Sequence, residues 1–74
     1  MRQIVPGDLV KSRYNKDIDL DNKQRTAMVS TLHTHEICVV IDFDPEFPAS
    51  IELLTSNGRG WTYDSNIVLV KATK

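Results

Sequence analysis

Five short apolar runs rich in β-branched residues, separated by turn-forming residues, constrain the fold more than any other feature of the sequence. The segment Glu36 to Phe43, EICVVIDF, is the strongest strand signal, because its apolar side chains alternate. A period of two places Cys38 and Val40 on one face of this strand and Ile37, Val39, Ile41 and Phe43 on the other. The other runs are IVPGDLV, SIELLT, WTY and NIVLV.

Two turn signals connect the strands of the second half of the chain. Asn57-Gly58 stands between alternating runs and predicts a hairpin, because both residues tolerate positive φ. The segment Asp44 to Ser50 contains two prolines and predicts a loop, since proline cannot donate a hydrogen bond to a sheet.

The segment from Lys11 to Thr34 differs from the rest, because it is polar and shows neither a strand nor a helix period. We expect a long polar loop over residues 11–34, in which DNKQRTAMVSTL could form a turn or two of helix. A loop of this length in a compact domain is more often functional or disordered than merely connecting.

The chain has 74 residues, which predicts a single domain over residues 1–74 with a small core. Such a body leaves little room for a deep catalytic pocket. The sequence also has no glycine-rich phosphate loop, serine-nucleophile turn or paired carboxylates. We therefore expect no enzymatic activity and no cofactor.

Charge and cysteine content limit the partners and the cellular compartment that we expect for the protein. Nine Lys and Arg balance ten Asp and Glu, which weakens an electrostatic argument for nucleic acid and gives none for a membrane. The lone Cys38 forms no internal disulfide, and no apolar run suits a signal peptide or a membrane span. These features predict a cytoplasmic protein.

The order of these signals predicts an all-β fold, a small five-stranded SH3-like barrel with the long loop after its first strand. Closing a sheet protects the edges that a short all-β chain would otherwise expose.

Three segments, VPGDLVKSR, VVIDFDPE and LLTSNGRGWTYDSNIVLV, resemble the small SH3-like barrel proteins of tailed bacteriophages and, more loosely, KOW and Tudor-like barrels. Those proteins begin with a Gly-Asp-Leu-Val strand, turn at Asn-Gly or Asp-Gly and place a Trp just beyond. The resemblance covers both ends and the central strand, but not Lys11 to Thr34, and HTHE stands where the family often has Gly. It implies a fold and a phage origin rather than one function, since these barrels serve many functions.

Two groups of side chains have the spacing of metal ligands. Asp17, Asp19 and Asp21 match the opening of a calcium loop, but its sixth and twelfth positions hold Asn22 and Met28 instead of Gly and Glu. We interpret this segment as a solvated acidic loop without a metal.

The second group is His33 and His35, which would share one side of a strand and suit two positions on one metal. Glu36 and Cys38 fall off that side, so no third ligand lies nearby, and exposed histidines are the favoured interpretation. Cys38 with His35 has the residue types of a nucleophile and its base, but its apolar surroundings favour a buried, inert thiol.

Trp61 and Tyr63 alternate and share a strand face with Arg59. An arginine beside two aromatic rings suits stacking on bases or docking a peptide. A core with few large side chains also needs its aromatics, which favours Trp61 as a lid on the core.

In the SH3-like fold the long loop approaches the Trp-bearing hairpin, which extends the predicted partner-binding surface to six residues: Arg13, Tyr14, Arg25, Arg59, Trp61 and Tyr63. Three functions fit: a non-enzymatic module that binds a protein partner, a nucleic-acid-binding barrel, and a small homo-oligomeric virion component. The balanced charge favours the protein partner.

Overall fold

The computed structural model describes residues 3–73 as one antiparallel sheet of seven strands in the order β3-β2-β6-β5-β4-β1-β7. A 3-10 turn at Asp64–Asn66 precedes the last strand. Within residues 3–73, no helix has the length and apolar character needed to cross a membrane. The strands are β1 Leu9–Ser12, β2 Ile18–Asp21, β3 Met28–Leu32, β4 Cys38–Asp44, β5 Phe47–Thr55, β6 Gly58–Tyr63 and β7 Ile67–Lys71.

The all-β class is confirmed, but the predictions of five strands and of a continuous loop over residues 11–34 are wrong. β2 and β3 form a hairpin inside that segment, and the sheet is not closed. β2 turns Ile18 and Leu20 into the core while Asp19 faces solvent. An alternation with only two apolar members among aspartates is too short to stand out in the sequence.

The predicted faces of β4 hold for Cys38, Val40 and Ile37 but are wrong for Phe43, because the register shifts between Val40 and Asp42. Cys38 and Val40 face the core, whereas Ile37 is 54% exposed. Beyond the shift, Phe43 pairs with the buried Ile51, and its partly buried side chain packs against the same core. A β-bulge of this kind reverses which residues point inward, and no pattern of alternation reveals it.

The β5–β6 hairpin is confirmed, but its turn lies one residue earlier than the predicted Asn57-Gly58 pair. Thr55 pairs with Gly58 across the two turn residues Ser56 and Asn57. Gly58 has a φ of +118°, whereas Asn57 does not have a positive φ. Only the glycine therefore adopts the left-handed conformation that was expected of both residues.

The segment predicted as a loop over Asp44 to Ser50 is mostly strand. Its turn is limited to residues 45–46, because Asp44 pairs with Phe47 and β5 begins there. Pro48 fits in β5 because pairing with β6 starts only at Ser50 and the register gives Pro48 no partner in β4.

A buried carboxylate joins the two ends of the described chain. Asp8 is fully buried, and its two oxygens accept hydrogen bonds from the backbone N–H groups of Val5 (3.0 Å) and Thr73 (2.9 Å). Gly7 has a φ of +96° and follows Pro6 in a turn closed by the bond from Asp8 N to Val5 O. Proline followed by a positive-φ glycine is the pattern of a type II turn.

The strands at both edges of the sheet contribute side chains to the same core cluster, so the sheet curls strongly around it. β3 and β7, which lie at opposite edges of the sheet, contribute Leu32 and Ile67. The other buried members are Val10, Ile18, Leu20, Cys38, Val40, Ile51 and Leu53.

The β2–β3 hairpin packs closely against β6. The two parts are joined by a single ladder pair, Asp21 with Trp61. A Cβ atom placed on Gly60 would lie 2.6 Å from the Cβ of Leu20 and 3.0 Å from the Oγ of Ser30. Only glycine therefore allows the hairpin to cross β6 this closely.

Replacing Gly60 with alanine should destabilise the protein by about 1–3 kcal/mol, because the added methyl group overlaps packed atoms near the backbone of β2. Chemical denaturation measures the change. Gly58→Ala is the comparison, since no atom lies within 4 Å of its Cβ position and only the positive φ is affected. A Gly60→Ala protein as stable as the wild type would contradict the close crossing.

Ser30→Ala should leave the stability unchanged or raise it by up to about 1 kcal/mol. The Ser30 hydroxyl is buried beside Gly60 and has no hydrogen-bond partner among the described residues, so its removal loses no bond. The same denaturation experiment tests this expectation. Ser50→Ala is the contrast, because it removes the acceptor of the hydrogen bond from Arg25. A large loss of stability in Ser30→Ala would show that the hydroxyl does have a partner.

Candidate partner-binding surface

The face of the sheet that points away from the core carries most of the residues predicted to bind a partner. Cross-strand pairs of β5 and β6 place Tyr63 opposite Ser50, Trp61 opposite Glu52 and Arg59 opposite Leu54. Directly opposite residues share a face, so Arg59, Trp61 and Tyr63 lie together as the alternation predicts. The core face of β6 carries Gly60 and Thr62 instead, both of them buried.

Trp61 is only 6% exposed, although it lies outside the main core cluster. The ammonium group of Lys23 lies 5.4 Å from the centre of its ring, within the range of a cation–π contact. Lys23 belongs to the connection between β2 and β3, so this connection covers the outer face at Trp61. The indole is therefore almost completely covered. It packs beneath the more exposed side chains of this face and offers little accessible area to a partner.

The same connection is held in a defined turn by Asn22. Its backbone N–H donates to Ala27 O (2.9 Å), and its side-chain oxygen accepts from the N–H of Thr26 (2.9 Å). Arg25 N donates to Asn22 O (3.0 Å), and Arg25 adopts a φ of +63°. These bonds fix the position from which the Arg25 side chain reaches the outer face.

Arg25, Tyr63 and Phe47 form a contiguous group on this face. The Arg25 guanidinium lies 4.3 Å from the centre of the Tyr63 ring and donates to the Ser50 hydroxyl at 2.7 Å. Phe47 and Tyr63 meet edge to face, with ring centres 6.0 Å apart. Both rings remain accessible, at 55% and 42% exposure respectively.

We call Lys23, Arg25, Phe47, Arg59, Trp61 and Tyr63 the outer aromatic face. Lys23 and Phe47 were not predicted from the sequence. Phe47 enters it only because β5 begins at that residue, directly after the turn at Pro45. Its position beside two prolines favoured a loop and concealed it.

The charges of this face are mixed. Arg59 is exposed, and its Nε lies 3.7 Å from the Oε2 of Glu52. Asp21 and Glu52 flank Trp61 on either side as its ladder partners. The carboxylates offset the cations, so the face does not form a continuous positive surface.

Arg13 and Tyr14 are not joined to this group by any hydrogen bond, ion pair or ring contact within residues 3–73. The Arg13 guanidinium instead donates to the carbonyl oxygens of Ser65 (2.8 Å) and Ile67 (3.2 Å). Tyr14 lies 5.5 Å from the ammonium group of Lys16. The structure thus divides the six predicted residues into two sets.

The predicted placement of His33 and His35 on one side of a strand is wrong, because both follow the end of β3. His33 Nδ1 lies 3.3 Å from Asp17 Oδ2, whereas His35 has a left-handed φ of +68°. The part of the chain from residue 3 to 73 contains no group of three or more His, Cys, Asp or Glu that could hold a metal.

Two carboxylates hold the turn after β3. Asp17 accepts hydrogen bonds from the backbone N–H of Thr34 (2.8 Å) and from its hydroxyl, and these bonds together with His33 lower the pKa of Asp17. Burial is the strongest single influence on the pKa of Glu36 and by itself would raise it. Hydrogen bonds from Ser56 N (2.7 Å) and His33 N (3.3 Å) outweigh it, so the pKa of Glu36 is also lowered.

Cys38 is buried, and burial, with a smaller contribution from the charge of Glu36, raises the pKa of its thiol to about 12. A thiol with this pKa is almost entirely protonated at neutral pH and is a poor nucleophile. Its environment matches the expectation of a small buried hydrophobic side chain.

Comparison of the chain with protein-family models, curated proteins and solved structures finds no match.

The stability of the protein should fall as the pH is lowered through the acid range. The pKa values of Asp17 and Glu36 lie below their ordinary values of 3.8 and 4.5 in the folded state. The unfolded chain therefore binds more protons there, and the stabilisation present at neutral pH is lost as the pH falls through the folded pKa values. Glu36→Gln should flatten the decline in the free energy of unfolding as the pH falls below the ordinary glutamate pKa of 4.5.

Denaturation at several pH values measures this slope. Glu46→Gln is the control, because it removes a carboxylate that accepts no hydrogen bond within the described residues. If Glu36→Gln and Glu46→Gln change the slope equally, the turn contacts of Glu36 do not cause the effect.

Proposed function

We propose that this protein is a non-enzymatic interaction module that binds a protein partner through the outer aromatic face. The observation that carries the proposal is the group formed by Arg25, Phe47 and Tyr63, in which two exposed rings pack against each other and an arginine stacks on one of them. Tyr and Arg are enriched among the residues that dominate binding energy at protein interfaces, and aromatic residues generally are enriched there.

The surface is also preformed, which lowers the cost of binding. The Arg25 side chain is already fixed by its hydrogen bond to Ser50 and by its stacking on Tyr63. Trp61 supports the face from beneath while Lys23 covers it. Side chains that are ordered before association lose less conformational entropy when a partner docks.

The mixed charge favours a protein partner over nucleic acid. Asp21 and Glu52 lie on the same face as the cations, and their carboxylates would repel a phosphate backbone. Arg25 already occupies one face of the Tyr63 ring, so a base would have to use the other face or displace the guanidinium.

An SH3-like arrangement encoded by a tailed bacteriophage is part of the same proposal. Its support is the order of elements: a first strand, a long excursion, a meander of β4, β5 and β6, and a last strand that pairs with the first. The excursion, which contains the β2–β3 hairpin, reaches the Trp-bearing hairpin at Lys23 and Trp61.

A homo-oligomer is the second candidate. The edge strands β3 and β7 expose apolar side chains, namely Met28, Val29, Leu69 and Val70. Unprotected edges of this kind can pair with those of another copy. Sedimentation that shows a monomer at high concentration would exclude this candidate.

Tyr63→Ala should weaken binding of the partner at least about tenfold, because it removes an exposed ring and the support of Arg25. The partner is first captured from a lysate of the source or host cells with the tagged wild-type protein. Its affinity is then measured with purified components by calorimetry. Tyr14→Ala is the matched control, since it removes an exposed tyrosine outside the outer aromatic face.

Equal affinities for the wild type and Tyr63→Ala would overturn the proposed face. A parallel titration with single-stranded DNA and RNA at low salt separates the nucleic-acid alternative. Tight oligonucleotide binding that Tyr63→Ala abolishes would replace the protein partner by nucleic acid as the ligand of this face.

A further inference from the structure

A second concave site lies between the end of β1 and the turn after β3, and none of its lining belongs to the outer aromatic face. It is an open pocket of about 430 Å³. Volumes of this order suit a small ligand. Three basic side chains, one aromatic ring and one aliphatic side chain make up most of its wall: Lys11, Arg13, His35, Tyr14 and Val68.

The pocket concentrates positive charge in a protein whose net charge is −1. Among the residues that the structure describes, no Asp or Glu lines it. Arg13 also borders an adjoining groove that contains Asp64, but no ion pair within residues 3–73 joins the two side chains. The charges of Lys11 and Arg13 are thus left without a carboxylate partner in the described region.

One wall of the pocket is rigidly held. The buried Ser12 hydroxyl lies 2.7 Å from Tyr14 O and 3.1 Å from Lys16 O, and it accepts a hydrogen bond from Tyr14 N at 3.2 Å. Arg13 donates to Ser65 O and Ile67 O, which fixes the plane of its guanidinium. An arginine has five N–H donors, so further donors remain for a ligand.

His35, which also lines the pocket, has a backbone conformation that is uncommon for a residue with a side chain, with φ at +68°. The turn around it is fixed by the bonds of Asp17 to Thr34 and of Glu36 to His33. Strained residues that persist because their surroundings hold them often mark binding sites.

We propose that this pocket binds a phosphomonoester, with the anion held by Lys11, Arg13 and His35. Lys11 and Arg13 carry two permanent positive charges, which match the charge of about −1.5 to −2 on a phosphomonoester at neutral pH better than the single charge of a carboxylate. The guanidinium is suited to phosphate oxygens. Tyr14 and Val68 contact the organic group that carries the phosphate. The small extent of the basic lining favours one compact anion over a long polyanion.

Titration of the isotope-labelled protein with inorganic phosphate and with phenyl phosphate, followed by NMR, tests the proposal. We expect saturable shifts of the backbone amides from Lys11 to Asn15 and of His35, with tighter binding of phenyl phosphate. Lys11→Gln should weaken phenyl phosphate binding about tenfold, since it removes one charged contact. Lys71→Gln is the matched control, because it removes the same charge from an exposed position on β7. It should leave the affinity unchanged.

His35→Asn provides an independent variant, because asparagine tolerates the left-handed conformation and lacks the imidazole that would contact the anion. It should also weaken binding of phenyl phosphate while the spectrum elsewhere keeps its folded dispersion. Absence of saturable shifts, or equal losses in Lys11→Gln and Lys71→Gln, would overturn the proposal. So would benzoate binding as tightly as phenyl phosphate, or a single-stranded oligonucleotide binding much more tightly than either. Tyr63→Ala, which alters only the outer aromatic face, should not change these titrations.

Discussion

The close crossing of the β2–β3 hairpin over β6 depends on the missing side chain of Gly60. A single ladder pair, Asp21 with Trp61, links the two parts, so packing at the glycine rather than a long hydrogen-bonded ladder holds the hairpin in place. This crossing brings Leu20 onto the core that the other strands share. It also brings the connection that contains Lys23 and Arg25 onto the outer face. The core and the outer face therefore both depend on the absence of a side chain at Gly60.

The rest of the curled sheet is held by contacts between distant parts of the chain. Asp8 accepts backbone hydrogen bonds from both ends of the described chain, at Val5 and Thr73. Glu36 joins the turn after β3 to the β5–β6 turn at Ser56. In a domain this small the hydrophobic contribution to stability is limited, so polar contacts that fix loops carry more weight than they would in a larger protein.

The two candidate sites differ in their chemistry. The outer aromatic face combines exposed rings with mixed charge and suits a protein surface. The pocket at Lys11 and His35 concentrates positive charge without carboxylates in the described region and suits a compact anion. Both sites are built from turns whose backbone is held by local hydrogen bonds, at Asn22 for the first and at Ser12 for the second.

The sequence by itself determined the all-β class, five of the strands, the β5–β6 hairpin and the shared face of Arg59, Trp61 and Tyr63. These features follow from local alternation and turn chemistry, which depend on residues close together in the chain. Only the tertiary structure decided the β2–β3 hairpin, the bulge after Val40 and the separation of Arg13 from Arg25. Each of these depends on pairing or packing between distant segments, and the geometry of such contacts leaves no periodic trace in the sequence.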